Sequence, residues 1–210
     1  MAKPEWLTFT PSSGNGDTTV NASGTAHTGR VARTYKATGN ATGVSTPVTI
    51  NVTQTAKAEF VQFANEGTAS IEKTGGTLTI TGTSNTKTLT FSFLEFPSLT
   101  LPAVTSYQVA GAAAESGVAI PDDPGTTAEY TFTVQFTDIP ENEEITPLTC
   151  TLVATAEGGQ SAQCVITQAA GDPYLYVTDE GTTTVSVTIP TEGTPAQAIQ
   201  ILSNTDWTIS

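Results

Sequence analysis

A chain of 210 residues that is 37 % hydrophobic has length for one large or two small domains and enough apolar side chains to bury real cores, which excludes a disordered polymer. Seven bases stand against twenty acids, a formal charge of −13, and so acidic a surface repels nucleic acid and anionic membranes. The polar residues are mainly Thr and Ser, which with Val and Ile suit pleated strands and point to an all-β protein.

The opening stretch "MAKPEWLTF" lacks the charged start and long apolar run of a secretory signal, and no window nears the roughly 18 apolar residues that span a bilayer. The product is therefore expected to stay where it is made, with the sequons "NAS", "NAT" and "NVT" idle. In "WLTFT" (6–10), Leu7 and Phe9 alternate against Trp6. If that pair faces the core, Trp6 faces out, to pack on a neighbouring domain or protein or to stack on a sugar ring; core packing of Trp6 is the remaining reading. "PSSGNGD" (11–17) opens no helix and precedes no Lys, so it is a turn rather than a phosphate loop, and Asn15-Gly16 is a hairpin signal. His27, the sole histidine, falls in "TAHTGR" and is expected to be a solvated loop residue. One histidine supports neither a histidine-based zinc site nor a Ser-His-Asp triad with a second histidine.

Further alternating runs are "VTINVTQ" (48–54), "TLTITGT" (77–83), "TLTFSF" (88–93), "EYTFTVQF" (129–136), "CTLVATA" (150–156), "QCVITQ" (163–168), "TTVSVTI" (183–189) and "AIQIL" (198–202). Each is short, has period two and is bounded by turn residues, an antiparallel sandwich pattern. "YQVAGAAAESG" (107–117) is read as a loop with at most one helical turn. Asp122-Asp123 and Glu141, Glu143 and Glu144 lack the spacing of a calcium loop and read as solvated charges. A two-residue Gly158-Gly159 turn would set Cys150 and Cys164 three positions out of register, roughly 10 Å, beyond disulfide reach. Both then read as small buried hydrophobes. Tyr174 and Tyr176 in "PYLYV" pose the choice posed by Trp6 more weakly. In "AIQILSNTDWTIS", Ile199, Ile201, Trp207 and Ile209 share one parity, so an unbulged strand puts them on one face.

The sequence also repeats internally. "VTQTAKAEFVQFANEGT" (52–68) matches "ITQAAGDPYLYVTDEGT" (166–182) at a constant offset of 114, and "TSN" (83–85) answers "LSN" (202–204) after a five-residue slip. "GDTTV" (16–20) likewise answers "PGTTAEYTFTV" (124–134). A repeat of this length indicates duplicated domains. Residues 58–170 form one complete unit, 171–210 hold only the opening strands of a unit, and 1–57 hold only its closing strands. The two fragments carry opposite charge: 1–57 has five bases and two acids, 171–210 has five acids and no base.

"SNTDW", "WLTFTPSSGNGDTTV" and the closing "VTINVTQ" resemble the BACON domain, an immunoglobulin-like sandwich common in Bacteroidetes and in the crAss-like phages that infect them. Ser203, Asn204 and Trp207 carry the first motif, Trp6, Pro11, Ser13, Gly14, Gly16 and Asp17 the second, and Gln54 the last. The family's order is rotated here, and the middle unit keeps "SN" and "TQ" but no Trp.

The resemblance implies two immunoglobulin-like antiparallel β-sandwiches, one assembled from the N- and C-terminal segments with Ile199, Ile201, Trp207 and Ile209 on its closing strand. That closure is expected within one chain, with strand exchange between chains as the other route. The implied function is that of a non-enzymatic phage virion protein, an auxiliary or decoration protein on the capsid. Its partners would be the major capsid protein or other virion proteins, and itself by strand exchange. It would be assembled in the host cytoplasm without a cofactor. The competing reading is a glycan- or mucin-binding module, contacting its ligand through Trp6, Tyr174 or Tyr176.

Overall fold

The computed structural model describes residues 3–94, 97–193 and 197–210. Outside the described residues lie 1–2, the first of the "MAKPEWLTF" stretch, together with 95–96 and 194–196. The strands begin with β1 (Leu7–Thr10), β2 (Asn21–Gly24), β3 (Arg33–Gly39) and β4 (Val48–Gln54). The middle of the chain holds β5 (Val61–Phe63), β6 (Thr68–Ile71), β7 (Gly76–Ser84), β8 (Leu89–Phe93), β9 (Ser106–Val109), β10 (Ala112–Ala113), β11 (Tyr130–Ile139), β12 (Leu148–Ala156) and β13 (Ser161–Gln168). The last two are β14 (Leu175–Val177) and β15 (Ile201–Ser203).

The middle strands form an immunoglobulin-like β-sandwich. One sheet runs β10-β9-β11-β7-β5 and the other β6-β13-β12-β8. Alternation along β11 and β12 sends Phe132, Val134, Phe136, Leu152 and Ala154 inward, each with no exposed surface. Phe132 meets Phe63 edge-on at 5.7 Å and Phe91 at 5.8 Å. Gly82 lies opposite, where a Cβ would strike the Phe132 ring.

The first strand of this sandwich switches sheets. After β5 pairs with β7, Asn65, Glu66 and Gly67 all take positive φ, and β6 then runs parallel to β13. Gly67 is needed there because a Cβ would collide with the Gln163 carbonyl.

Cys150 and Cys164 are free and buried. The turn between their strands is one residue longer than the two-residue reading. Ala156 N–H donates to Gln160 and Gly159 takes φ +87°, a three-residue loop closed by a bulge. Cys150 therefore faces Ile166 and Cys164 faces Leu152, two positions out of register rather than three. Burial pushes the Cys150 thiol up to about 11 and the Tyr130 phenol up to about 12. In both cases the unfolded chain releases the proton first. The stability these two groups contribute is thus constant below about pH 9 and falls as pH rises from there through about pH 12. Urea midpoints measured at pH 8, 10 and 11 should decline in that order.

Three other local readings change. Residues 107–117 begin with a hairpin, β9 to β10, whose Ala110-Gly111 turn has two positive φ values. The β1–β2 hairpin closes through the long loop 11–20 rather than tightly at Asn15-Gly16, where Gly16 alone takes positive φ. The run 183–189 forms no strand. Its counterpart in the repeat, β6, exists by lying against β13, and 183–189 has no such neighbour.

The terminal segments make three separate two-stranded sheets: β1-β2, β3-β4 and β14-β15. No sheet pairing joins the first segment to the last among the described residues. The first packs where β11 starts, through Arg30 and Gly125; the last packs where β11 has ended, through Gly171 and Glu144. Ten residues of β11 at about 3.3 Å each hold the two contacts roughly 30 Å apart. The closure expected inside one chain is therefore not the arrangement adopted, because the middle sandwich stands between its two parts.

Candidate interaction site at the unit junctions

The repeat seen in the sequence reappears in the strand register. β5 pairs with β7 as Val61↔Ser84, Gln62↔Thr83 and Phe63↔Gly82. β14 pairs with β15 as Leu175↔Ser203, Tyr176↔Leu202 and Val177↔Ile201. The offset of 114 on the first strand and the five-residue slip on the second map one set onto the other. On the closing side, Arg33↔Gln54 in β3–β4 corresponds to Leu148↔Gln168 in β12–β13.

Each opening hairpin carries the same clamp. Asn85, fully buried, accepts from the Phe60 N–H at 3.0 Å and donates to the Ala58 and Thr28 carbonyls at 3.2 and 3.1 Å. Asn204 accepts from the Tyr174 N–H at 3.0 Å and donates to the Asp172 and Glu143 carbonyls at 3.0 and 2.9 Å. Ser84 Oγ donates to Phe60 O, and Ser203 Oγ to Tyr174 O. One amide thus ties three segments together: the preceding unit's loop, the linker, and the first strand of the next unit. An amide can do this because it offers both a donor and an acceptor.

The closing glutamine is the second repeated element. Gln54 Nε2 donates to Thr25 O at 2.8 Å, and Gln168 Nε2 to Pro140 O at 2.8 Å. His27 occupies the place of Asn142. Its Nε2 lies 2.7 Å from Val31 O, as Asn142 Nδ2 lies 3.0 Å from Thr146 O. A carbonyl only accepts, so Nε2 carries the proton. His27 is accordingly a half-buried residue of the β2–β3 loop rather than a solvated one.

At the first junction Arg30 forms a two-pronged ion pair with Asp123 and also donates to Asn85 O at 3.0 Å. Asp123 is therefore a paired charge rather than a solvated one, and the hydrogen bonds that Arg30 donates to it raise the Arg30 pKa further. Lys57 meets Glu129 at 3.1 Å. Gly29 lies so close to the middle unit that a Cβ would stand 2.5 Å from the Thr126 and Thr127 backbone. Gly29→Ala is expected to pry this junction open. The readout is faster amide exchange at Lys57, whose N–H donates to Gly29 O, with slow exchange retained at Val134 in the core.

Trp6 is half-buried, and the Arg33 guanidinium sits over its ring at 4.6 Å from the centroid. Arg33 also donates to Gln54 and to Thr25 O, each at 2.9 Å, so Trp6 joins the β1–β2 hairpin to the β3–β4 hairpin. Tyr174 and Tyr176 stack with centroids 5.3 Å apart beside a cleft of about 550 Å³. Lys73, Glu141, Glu143, Asp172 and Glu180 also line that cleft. Ile199, Trp207 and Ile209 lie exposed, and Ile201 is half-buried in β15. Among the described residues no group of three or more His, Cys, Asp or Glu is placed to hold a metal ion.

Fold and junctions together define an immunoglobulin-like β-sandwich protein whose terminal hairpins are tied to the sandwich by a repeated Asn clamp. No protein-family model matches the chain, and no curated protein does. Among solved structures, human CDH23 EC21-23 aligns over 81 % of this chain and 58 % of its own at 16 % identity and a TM-score of 0.39. Protocadherin Gamma B2 extracellular cadherin domains 1-5 align over 97 % and 38 % at 14 % identity and 0.35. An endo-fucoidan hydrolase of glycoside hydrolase family 107 aligns over 81 % and 22 % at 15 % identity and 0.30. The chain spans less than two thirds of each of these structures.

Proposed function

We propose that this chain is a non-enzymatic structural protein, an auxiliary or decoration protein held on the capsid surface of a Bacteroides-infecting phage. The observation that carries this reading is the clamp at Asn85 and Asn204, which fixes the direction in which one sandwich leaves the next. That is the mechanical requirement of a spacer or surface-dressing element. The BACON-like motifs lie in the same frame: "SNTDW" contains the second clamp, and the closing Gln54 donates to the loop before β3 as Gln168 does to the loop before β12. The partner would be the major capsid protein or another virion protein, met through loops and sheet edges, with the acidic faces turned to solvent. Co-sedimentation with purified capsid shells tests the reading. Saturable binding at fixed stoichiometry is expected, and a chain that stays in the supernatant at all shell concentrations would end it.

The cleft beside Tyr174 and Tyr176 supports a second reading, glycan binding, because an open aromatic face next to several carboxylates suits a sugar. Trp6 is the weaker candidate, since Arg33 covers its ring. On a glycan array this reading requires signal that disappears with Tyr174→Ala and persists with Trp6→Ala. The capsid reading expects no signal from any of the three proteins.

A further inference from the structure

We infer that the cleft beside Tyr174 and Tyr176 holds an ammonium group, and that the glycan it takes is therefore an amino sugar with a free amine. The inference rests on the glycan reading of the same cleft and narrows it to one chemical class. The template is the first junction, where the offset of 114 makes Phe60 the counterpart of Tyr174 and Lys57 the counterpart of Gly171. There the Lys57 ammonium lies 3.9 Å from the centroid of the Phe60 ring and 3.1 Å from a Glu129 carboxylate oxygen. An aromatic face and a carboxylate thus share one cation.

At the second junction the ring and the carboxylates are present and the lysine is not. Position 171 cannot hold one, because a Cβ on Gly171 would stand 2.4 Å from the Asn142 carbonyl oxygen. The cleft's own base, Lys73, is paired with Asp172. Glu141, Glu143 and Glu180 line the same cleft and are exposed, and among the described residues none of the three is ion-paired. Four carboxylates against one base leave an excess of three negative charges around an aromatic face. Carboxylates and the negative face of a π-system both attract a cation and repel an anion. Carboxylated and sulfated sugars are thereby disfavoured, and a free amine gains most. The C–H face of the sugar ring packs on Tyr174, which is 37 % exposed, and a cleft of about 550 Å³ has room for a short oligosaccharide.

The tyrosines keep this role whatever covers the rest of their hairpin. In β5, Val61 and Phe63 are buried and Gln62 between them is exposed. Leu175 is the counterpart of Val61, and Tyr176 of Gln62. Alternation along the chain therefore sets Tyr174 and Tyr176 on the opposite side of β14 from Leu175. A strand or sheet packed on Leu175 leaves the cleft open.

Titration calorimetry of the full chain tests the inference with three probes: a glucosamine tetramer, its fully N-acetylated form, and tetralysine. The free-amine tetramer should bind roughly tenfold more tightly than the acetylated one, and its affinity should fall as sodium chloride is raised. Tyr174→Ala should remove binding, whereas Tyr174→Phe, which keeps the aromatic face, should retain it. Glu143→Gln should weaken the free-amine tetramer roughly threefold and leave the acetylated one unchanged. Equal affinity for the two tetramers, or array signal from neutral glycans with no preference for a free amine, would overturn the inference and leave the glycan reading standing. Silence of both tetramers and of the whole array would overturn both. Binding of tetralysine without either sugar would also overturn it, by making the ligand a basic peptide.

Discussion

Asn85→Ala is expected to lower the unfolding free energy of the middle sandwich by about 3 kcal/mol, because it orphans one backbone donor and two backbone acceptors at a fully buried position. The corresponding drop in thermal midpoint is roughly 10–15 °C. Asn85→Asp should be worse than alanine. The carboxylate retains the acceptor for Phe60 N–H but sets a buried negative charge against the Ala58 and Thr28 carbonyls. Asn204→Ala removes the same three contacts at the second clamp, which is half-exposed, and should cost under about 1 kcal/mol because water takes over the freed groups. Urea melts of the three variants decide this. If Asn85→Ala and Asn204→Ala cost equal amounts, burial does not govern the strength of the clamp.

Phe132→Ala should lower the unfolding free energy by about 3–5 kcal/mol. The ring has no exposed surface and is held by Phe63, Phe91 and the bare backbone of Gly82. Neither phenylalanine can swing far enough to fill the space, since both are anchored in strands paired on at least one side. Ile50→Ala provides the contrast. Its counterpart in the repeat is buried, but Ile50 lies on an uncovered face of the β3–β4 hairpin, and in dilute solution its loss should cost under about 0.5 kcal/mol. A large penalty for Ile50→Ala in a chain shown to be single would mean that this face is covered within the molecule.

Much of the fold was legible because period-two alternation is a local signal. The runs at 77–83, 129–136, 150–156 and 163–168 became β7, β11, β12 and β13, since each alternates strongly enough for burial to choose one face. β5 and β6 were less visible. They are short and separated by three left-handed residues, one of them Glu66, a residue type that does not ordinarily announce such a turn. The cysteine register slipped by one because two adjacent glycines suggest a two-residue turn, whereas the chain uses one of them in a bulge. Of the candidate site, the repeated "SN" and the closing "TQ" were visible as words. Their role was not, because the partners of Asn85 are backbone groups at positions 28, 58 and 60, and backbone carbonyls leave no trace in a sequence. Arg30 and Gly29 went unnoticed for the same reason: what makes them matter is a surface on another unit.

By itself the sequence determined the all-β class, the acidic surface and the duplication with its offset of 114, which the strand registers repeat. These follow from composition and from periodicities that chain neighbours enforce. Only the tertiary structure decided where the terminal hairpins stand. Strand partners are chosen by which edges can reach each other, and the middle sandwich holds the two open ends a full strand length apart.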